Sequence, residues 1–292
     1  MNSDGTIFGQ DDLFWSTYLR GRPKVPDTFF TRRLRTQFDH IIVSDIVPEN
    51  IKLARARLLA EAPESRPPSP GYSFRVASLE SAYDIPPGSV DLIFATNVMH
   101  FAEPQDTAMA VLARQLRPGG TFAAALFGPA NFDDDEVQAL WGEISQTGGR
   151  ELLRGADQPE HTKRVMARTQ GKYNVAPLSS RLFEAGAQRL HFNMGDHGER
   201  GIQGMLPPEE TYSVKELDYT GPDDVERFAK DKDWDFETDL VGIKEHFASF
   251  PFVSKFPGAF VDLYAELDRL VGDKKVRGTF PVKIILATRH SD

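Results

Sequence analysis

The chain has 292 residues, 40% of them hydrophobic, and a formal net charge of −9. That length suits one large domain or a core domain with a cap. The acidic balance argues against a nucleic-acid partner and against an anionic membrane surface, since both call for a basic field. There are no cysteines, which excludes disulfides, thiolate catalysis and Cys-ligated zinc. No apolar run reaches the roughly 18 residues of a membrane span, and the start MNSDGTIFGQDDLFW lacks a signal-peptide profile. The expectation is a cytoplasmic protein with no nucleic-acid and no membrane partner.

Phe14, Trp15, Tyr18 and Leu19 recur at helical spacing, and GRPKVP then breaks the helix. A short helix is expected around 28–35. Ile41 to Ser44 reads as a buried strand ended by Asp45. Residues 48–59 read as a helix, with Pro48 at its start and Ile51, Ala54 and Leu58 along one face. A Pro/Ser loop over 61–72 leads to a strand at 73–78. The turn IPPGS opens the apolar run VDLIFAT, whose unbroken character suits a parallel sheet covered on both faces. A helix over 106–116, the stop signal RPGG and an apolar strand over 121–127 follow. Such strand–helix alternation predicts an α/β fold with crossover helices. Further on, 133–169 reads as helical, with Val137, Leu140, Trp141 and Ile144 on one face. A linker over 198–212, a strand over 212–219, helices over 222–230, 239–250 and 260–271, and a closing strand over 278–289 complete the chain.

Four segments stand in a telling order: SDIVPENIKLARARL, FRVASLESAYDIPPGSVDLIFATNVMHF, LARQLRPGGTFAAALFG and KIILATR. Their order and spacing resemble the class I S-adenosylmethionine-dependent methyltransferases, more narrowly the fungal small-molecule enzymes similar to trans-aconitate methyltransferase. The resemblance covers roughly residues 11–289. It implies a Rossmann-like, mostly parallel sheet with helices on both faces and a small cap. One domain would comprise an N-terminal lid (1–36), a cofactor-binding core (37–128), a cap or substrate region (129–277) and the closing strand (278–289). The implied reaction is methyl transfer from S-adenosylmethionine to a carboxylate or hydroxyl oxygen of a small-molecule acceptor.

Carried onto this sequence, the resemblance assigns Asp45, with Ile46 beside it, to the cofactor ribose. A carboxylate at a strand's carboxyl end can accept two hydroxyl hydrogen bonds there; the alternative is a cap for the helix starting near Pro48. Ser78, Leu79 and Glu80 fall on the adenine loop. Asn97 and Val98 begin the segment that faces the methyl group, and Met99, His100 and Phe101 continue it towards the acceptor. His100 is the catalytic candidate, able to orient or deprotonate an acceptor oxygen, unless it only satisfies backbone groups near the sheet edge. Tyr18 and Arg22 belong to a segment that folds over the site in similar proteins, and a guanidinium there matches a carboxylate; a surface ion pair is the other reading of Arg22. Trp234 either lines the cap or packs in the core. HFNMGDHGE (191–199) gathers His, Asp and Glu, but without ligand spacing it reads as a polar loop, and no metal is expected.

One expected piece is missing. Nucleotide-binding α/β domains open with a strand ending in a glycine turn that admits the ligand close to the backbone. Here only TFFTRRLRTQ lies between Asp27 and Phe38, and Gly5, Gly9 and Gly21 follow no strand. Three readings follow: a methyltransferase that binds its cofactor through what remains, a methyltransferase-like scaffold that is catalytically silent or serves a rearrangement, or a shortened form of a longer product.

Overall fold

The computed structural model describes residues 12–24, 37–60, 71–81, 84–215 and 218–291. The expected helix at 28–35 lies outside them. In chain order the elements are α1 (Asp12–Gly21), β1 (His40–Asp45), α2 (Pro48–Ala60), β2 (Gly71–Val76), β3 (Val90–Thr96), α3 (Gln105–Gln115), β4 (Leu116–Phe127) and β5 (Asn131–Phe132). Then come α4 (Asp135–Arg154), α5 (Pro159–Arg168), β6 (Gln188–Phe192), β7 (Val225–Ala229), β8 (Asp235–Thr238), α6 (Leu240–Ala248), α7 (Pro251–Lys255), α8 (Val261–Val271), β9 (Val276–Thr279) and β10 (Val282–Thr288). The expected α/β architecture is present: strands alternate with helices up to β4, and the last strand returns to the sheet.

The sheet is divided. A two-stranded piece, β1–β2, stands apart from a five-stranded piece ordered β3-β4-β10-β6-β7, and β5-β9-β8 form a third, small sheet. β1 and β2 run parallel from His40↔Gly71 to Asp45↔Val76. β3 and β4 run parallel, as do β6 and β7, while β10 enters antiparallel between β4 and β6. The RPGG signal does more than stop α3: β4 already begins at Leu116, and the ladder with β3 shifts register between Val90 and Leu92. Gly119 takes φ +70°, and a Cβ on Gly120 would lie 2.8 Å from the Arg117 carbonyl oxygen, so this bulge needs both glycines.

One face of the five-stranded sheet carries the main core. Phe122, Ala124 and Leu126 of β4 and Ile285 and Ala287 of β10 pack on Met109, Leu112 and Ala113 of α3. A second core joins α4, α6 and α8 through Trp141, Ile144, Phe247 and Leu267. Asp134 starts α4 by accepting hydrogen bonds from the amides of Glu136 and Val137 at 3.0 and 3.1 Å. The opposite face of the sheet is thinly covered: Phe94, Phe192 and Ile284 stay half-buried around Phe127, Trp234 and Val282.

Two expected elements are corrected. Residues 222–230 contain a strand, β7, where a helix was expected, because parallel pairing with β6 overrides the helix-forming residues of VERFAK. Residues 212–219, expected as a strand, form turns and irregular chain among the described residues. Over 133–169 the helix breaks at Gly155, giving α4 and α5.

Candidate active site

The carboxyl end of β3 presents the segment that carries the chemistry. Asn97 sits in the left-handed region at φ +52°, and its Oδ1 accepts the Phe127 amide at 2.9 Å, tying the ends of β3 and β4 together. Val98 packs against the main core. A single helical turn, Met99–Phe101, follows. Met99 and His100 are buried, and the Phe101 ring lies 4.1 Å from that of His100. Gln105 donates to the Met99 carbonyl at 3.0 Å and braces this turn from the start of α3.

His100 Nδ1 lies 3.2 Å from the hydroxyl of Tyr173, a fully buried residue held at φ +51°. The backbone amides of His100 and Met99 favour the Tyr173 oxygen as an acceptor, while burial pushes its pKa up. In the tautomer whose Nδ1 takes the phenol proton, His100 carries its own proton on Nε2. Burial, then the charges of Arg168 and Arg22, push the His100 pKa down to about 3. The imidazole is neutral at any ordinary pH.

Arg22 arrives from the end of α1. Its guanidinium lies 4.8 Å from the centre of the Tyr18 ring and 4.2 Å from that of Phe250. Burial pushes the guanidinium pKa down, Tyr18 opposing. Among the described residues no ion-pair partner faces Arg22, and its buried Nε has no hydrogen-bond partner. The surface ion pair of the sequence reading is absent from the described residues. His246 fixes this end of α1: its Nδ1 donates to the Gly21 carbonyl at 2.7 Å, and its Nε2 accepts the Ala130 amide at 3.1 Å. Burial holds its pKa at about 4. Gly21 is obligatory at the crossing, since a Cβ would lie 2.0 Å from the Glu245 carbonyl oxygen. Helix α1 thus packs on α6, and it sets Arg22 near His100.

A cavity of about 250 Å³ opens beside Tyr173, lined among others by Gln105, Arg168, Lys172, Asn174 and Asp218. Gln105 Oε1 is buried without a hydrogen-bond partner among the described residues. Arg168 forms its rim, donating to the Ala102 carbonyl and pairing with Glu103, both at 3.0 Å.

The residues expected at the adenosine end have partners within the chain. Asp45 accepts the Val47 amide at 2.8 Å and the Asn50 side chain at 3.2 Å, the capping role. Ile46 is 60% exposed. Ser78 bonds Ser81, Leu79 packs on the main core, and Glu80 accepts the Glu103 amide at 2.9 Å. Trp234 is buried on the opposite face of the sheet, stacked at 5.1 Å on Phe127, away from the turn that holds His100. In the 191–199 loop Glu199 accepts the amides of Asp196 and His197.

Tyr173, Gln105 and His246 escaped the sequence reading. Tyr173 stands alone in an irregular stretch, and only its left-handed backbone marks it. Lys283 also escaped, although a lysine inside the apolar closing strand was a signal. Fully buried, its Nζ lies 2.8 Å from His191 Nε2 and 3.3 Å from Asn174 Oδ1, and Glu226 reaches the same Nε2 at 2.9 Å.

A family model described as a methyltransferase domain matches residues 27–124. Methyltransferase AacuQ of Aspergillus aculeatus is 47% identical over 316 aligned positions, covering 99% of this chain and 97% of the relative. This chain belongs to the class I S-adenosylmethionine-dependent methyltransferases. Methyltransferase tpcM of Aspergillus fumigatus is 45% identical over 318 positions, with 99% and 96% covered. A solved structure from Anaeromyxobacter dehalogenans, a type II methyltransferase candidate, is 20% identical with a TM-score of 0.47, covering 86% of this chain and 81% of that one. As a methyltransferase the chain calls for S-adenosylmethionine, and the described residues do not make a complete site for it. The Asp45 carboxylate is engaged in a helix cap, and no glycine turn at a strand end stands between β1 and β3 among the described residues.

Proposed function

We propose that this methyltransferase acts on an oxygen of a small acidic molecule, whose carboxylate is held by Arg22 and whose acceptor oxygen is oriented by His100. The observation that carries the reading is Arg22: a guanidinium between two aromatic rings, its Nε orphaned and without a counter-ion among the described residues. A buried donor left unpaired costs about 1–3 kcal/mol, a cost that an incoming carboxylate removes. S-adenosylmethionine supplies the methyl group when bound. Every other contribution is positional. A histidine with a pKa of about 3 is a poor proton acceptor at neutral pH. Its role is that of a donor, Nε2–H towards the acceptor oxygen, with Tyr173 fixing the ring. Alignment alone can supply much of the rate when the nucleophile is already an anion. Tyr18, Met99 and Phe101 border the acceptor, and the cavity beside Tyr173 receives its body, Gln105 Oε1 taking a hydroxyl.

The test is transfer of labelled methyl from S-adenosylmethionine to a panel of small hydroxy and carboxylic acids. Arg22→Gln is expected to raise KM for an acid at least tenfold and to leave a neutral ester of it unaffected. Equal loss on acid and ester would sink the carboxylate reading. A second reading, a catalytically silent scaffold that only binds the acidic molecule, is favoured by the divided sheet. Retained acid binding without transfer would establish it.

A further inference from the structure

We propose that the cavity beside Tyr173 holds an ionised end of the acceptor, and that this end enters together with one proton, which Lys283 receives. The proposal rests on the reading above for its occupant, an acidic small molecule whose carboxylate meets Arg22. The end beside Lys283 is a second acid group.

Lys283 stands behind the cavity wall. On β10 it precedes Ile285 and Ala287 by two and four positions, so it shares the sheet face that carries the main core and Tyr173. Its cross-strand neighbours are Leu126 and His191, and it is fully buried. Its Nζ lies 3.3 Å from Asn174 Oδ1, and Asn174 lines the cavity. One side chain therefore separates the amine from the occupant.

The cluster around Lys283 has two arrangements that differ by one proton. His191 Nε2 faces both Lys283 Nζ at 2.8 Å and Glu226 Oε1 at 2.9 Å. A ring nitrogen either donates or accepts. When Nε2 carries hydrogen it serves Glu226, and an ammonium group at Lys283 would meet that hydrogen, so the amine stays neutral. When Lys283 is charged it donates to a bare Nε2, and Glu226 turns to Lys172, whose Nζ stands 3.6 Å from Oε2.

The surroundings favour the neutral amine until an anion arrives. Besides His191, the charged groups that bear on Lys283 among the described residues are Arg189 of β6, Glu226 of β7, and Lys172 and Asp218 beside the cavity. Burial, then Arg189, push Lys283 down to about 6. Arg189 pairs with Asp224 at 2.5 Å. Asp218 has both oxygens engaged, by the Thr220 amide at 2.8 Å and by Asn174 Nδ2 at 2.9 Å. Arg168 and Lys172 outnumber it on the cavity wall, so the cavity suits an acid group. A nearby opposite charge moves a lysine up by roughly one to three pH units, which puts the proton on Lys283 at neutral pH. At the rim His161, 4.0 Å from Glu103 and beside Arg164 and Arg168, also titrates below its ordinary value, through burial first.

The experiment titrates the full chain calorimetrically with isophthalate, glutarate and their monomethyl esters. Buffers of different ionisation enthalpy count the protons taken up per ligand bound. At about pH 7 a diacid is expected to bring in about 0.4–0.9 proton and its monoester about 0.1 or less, with the uptake fading by about pH 10. Lys283→Met is expected to bind the diacid more weakly, without uptake, and with an affinity independent of pH above neutrality. Diacid binding without uptake in the unmodified chain overturns the proposal, as does unchanged uptake in Lys283→Met or no binding by either diacid. Should Lys283→Met not fold, His161→Gln takes its place: uptake kept supports Lys283, and uptake lost moves the proton to the rim and overturns the proposal. If Arg22→Gln leaves diacid affinity unchanged while the uptake persists, the reading under Proposed function falls and the cavity site stands.

Discussion

His246 makes two buried hydrogen bonds with fixed direction, and it is the residue on which the placement of Arg22 depends. Replacing it by Phe leaves the Gly21 carbonyl and the Ala130 amide unpaired in the core. Each orphaned group costs about 1–3 kcal/mol, so His246→Phe is expected to lose about 2–5 kcal/mol in urea unfolding. A loss under about 0.5 kcal/mol would mean that α1 is not anchored there. Tyr173→Phe is the sharper variant for the chemistry. It removes the hydroxyl that holds His100 Nδ1 and keeps the ring. Transfer is expected to fall about tenfold in kcat with KM little changed, and an effect on KM alone would assign Tyr173 to binding.

The packing of α1 on α6 depends on the absence of a side chain at one crossing point. A Cβ at Gly21 would penetrate the Glu245 carbonyl, and the backbone of a helix does not yield as a side chain does. Gly21→Ala is expected to detach α1, read as faster proteolytic cleavage within 12–24 while the melting transition of the rest persists. Unchanged cleavage would show that the helices have room to separate slightly. Gly21 was legible as part of a breaker, not as a contact, because its partner lies more than 200 residues away. The same limit explains the other misreadings. Helices α2, α3, α4 and α8 follow from their 3.6-residue apolar spacing, and β3, β4 and β10 from apolar runs, since local pattern decides them. β7 is an edge strand, mostly exposed, with no alternation to read, so only its pairing with β6 makes it a strand. Asp45 was legible as a strand-end carboxylate, and both its roles were open in sequence. The donors that take up its oxygens, the Val47 amide and the Asn50 side chain, are set by the start of α2.

At the scale of the whole molecule, buried bases set an unusual pH profile. Burial first, and then cationic neighbours, hold His100 at about 3; burial holds His246 at about 4; burial, with Lys283 next, holds His191 at about 4. Unfolded, each titrates near 6.5, so between pH 6.5 and 4 the unfolded chain binds protons that the native chain refuses. Stability therefore falls as pH falls through that window, by about 1.4 kcal/mol per pH unit for each histidine. Lys283 extends the trend upward. Burial and the charge of Arg189 push it down to about 6 from an ordinary 10.5, so above pH 6 it is neutral when folded and still charged when unfolded. Stability then continues to rise between pH 6 and 10.5. Burial raises Tyr173 and Tyr264, and their unfolded-state ionisation near pH 10 opposes the rise: the unfolded chain loses protons that the native chain keeps, so stability turns down beyond that point. The melting temperature is thus expected to climb from pH 5 to a maximum near pH 10, above the usual range of 5–8. Lys283→Met should flatten the rise between pH 7 and 9 and change the acid limb only through His191, which loses a cationic neighbour, because His100 and His246 stay in place. A maximum below pH 7 in the unmodified chain, or an unflattened rise in the variant, would mean that the cluster of Lys283, His191 and Glu226 admits a proton in the folded state.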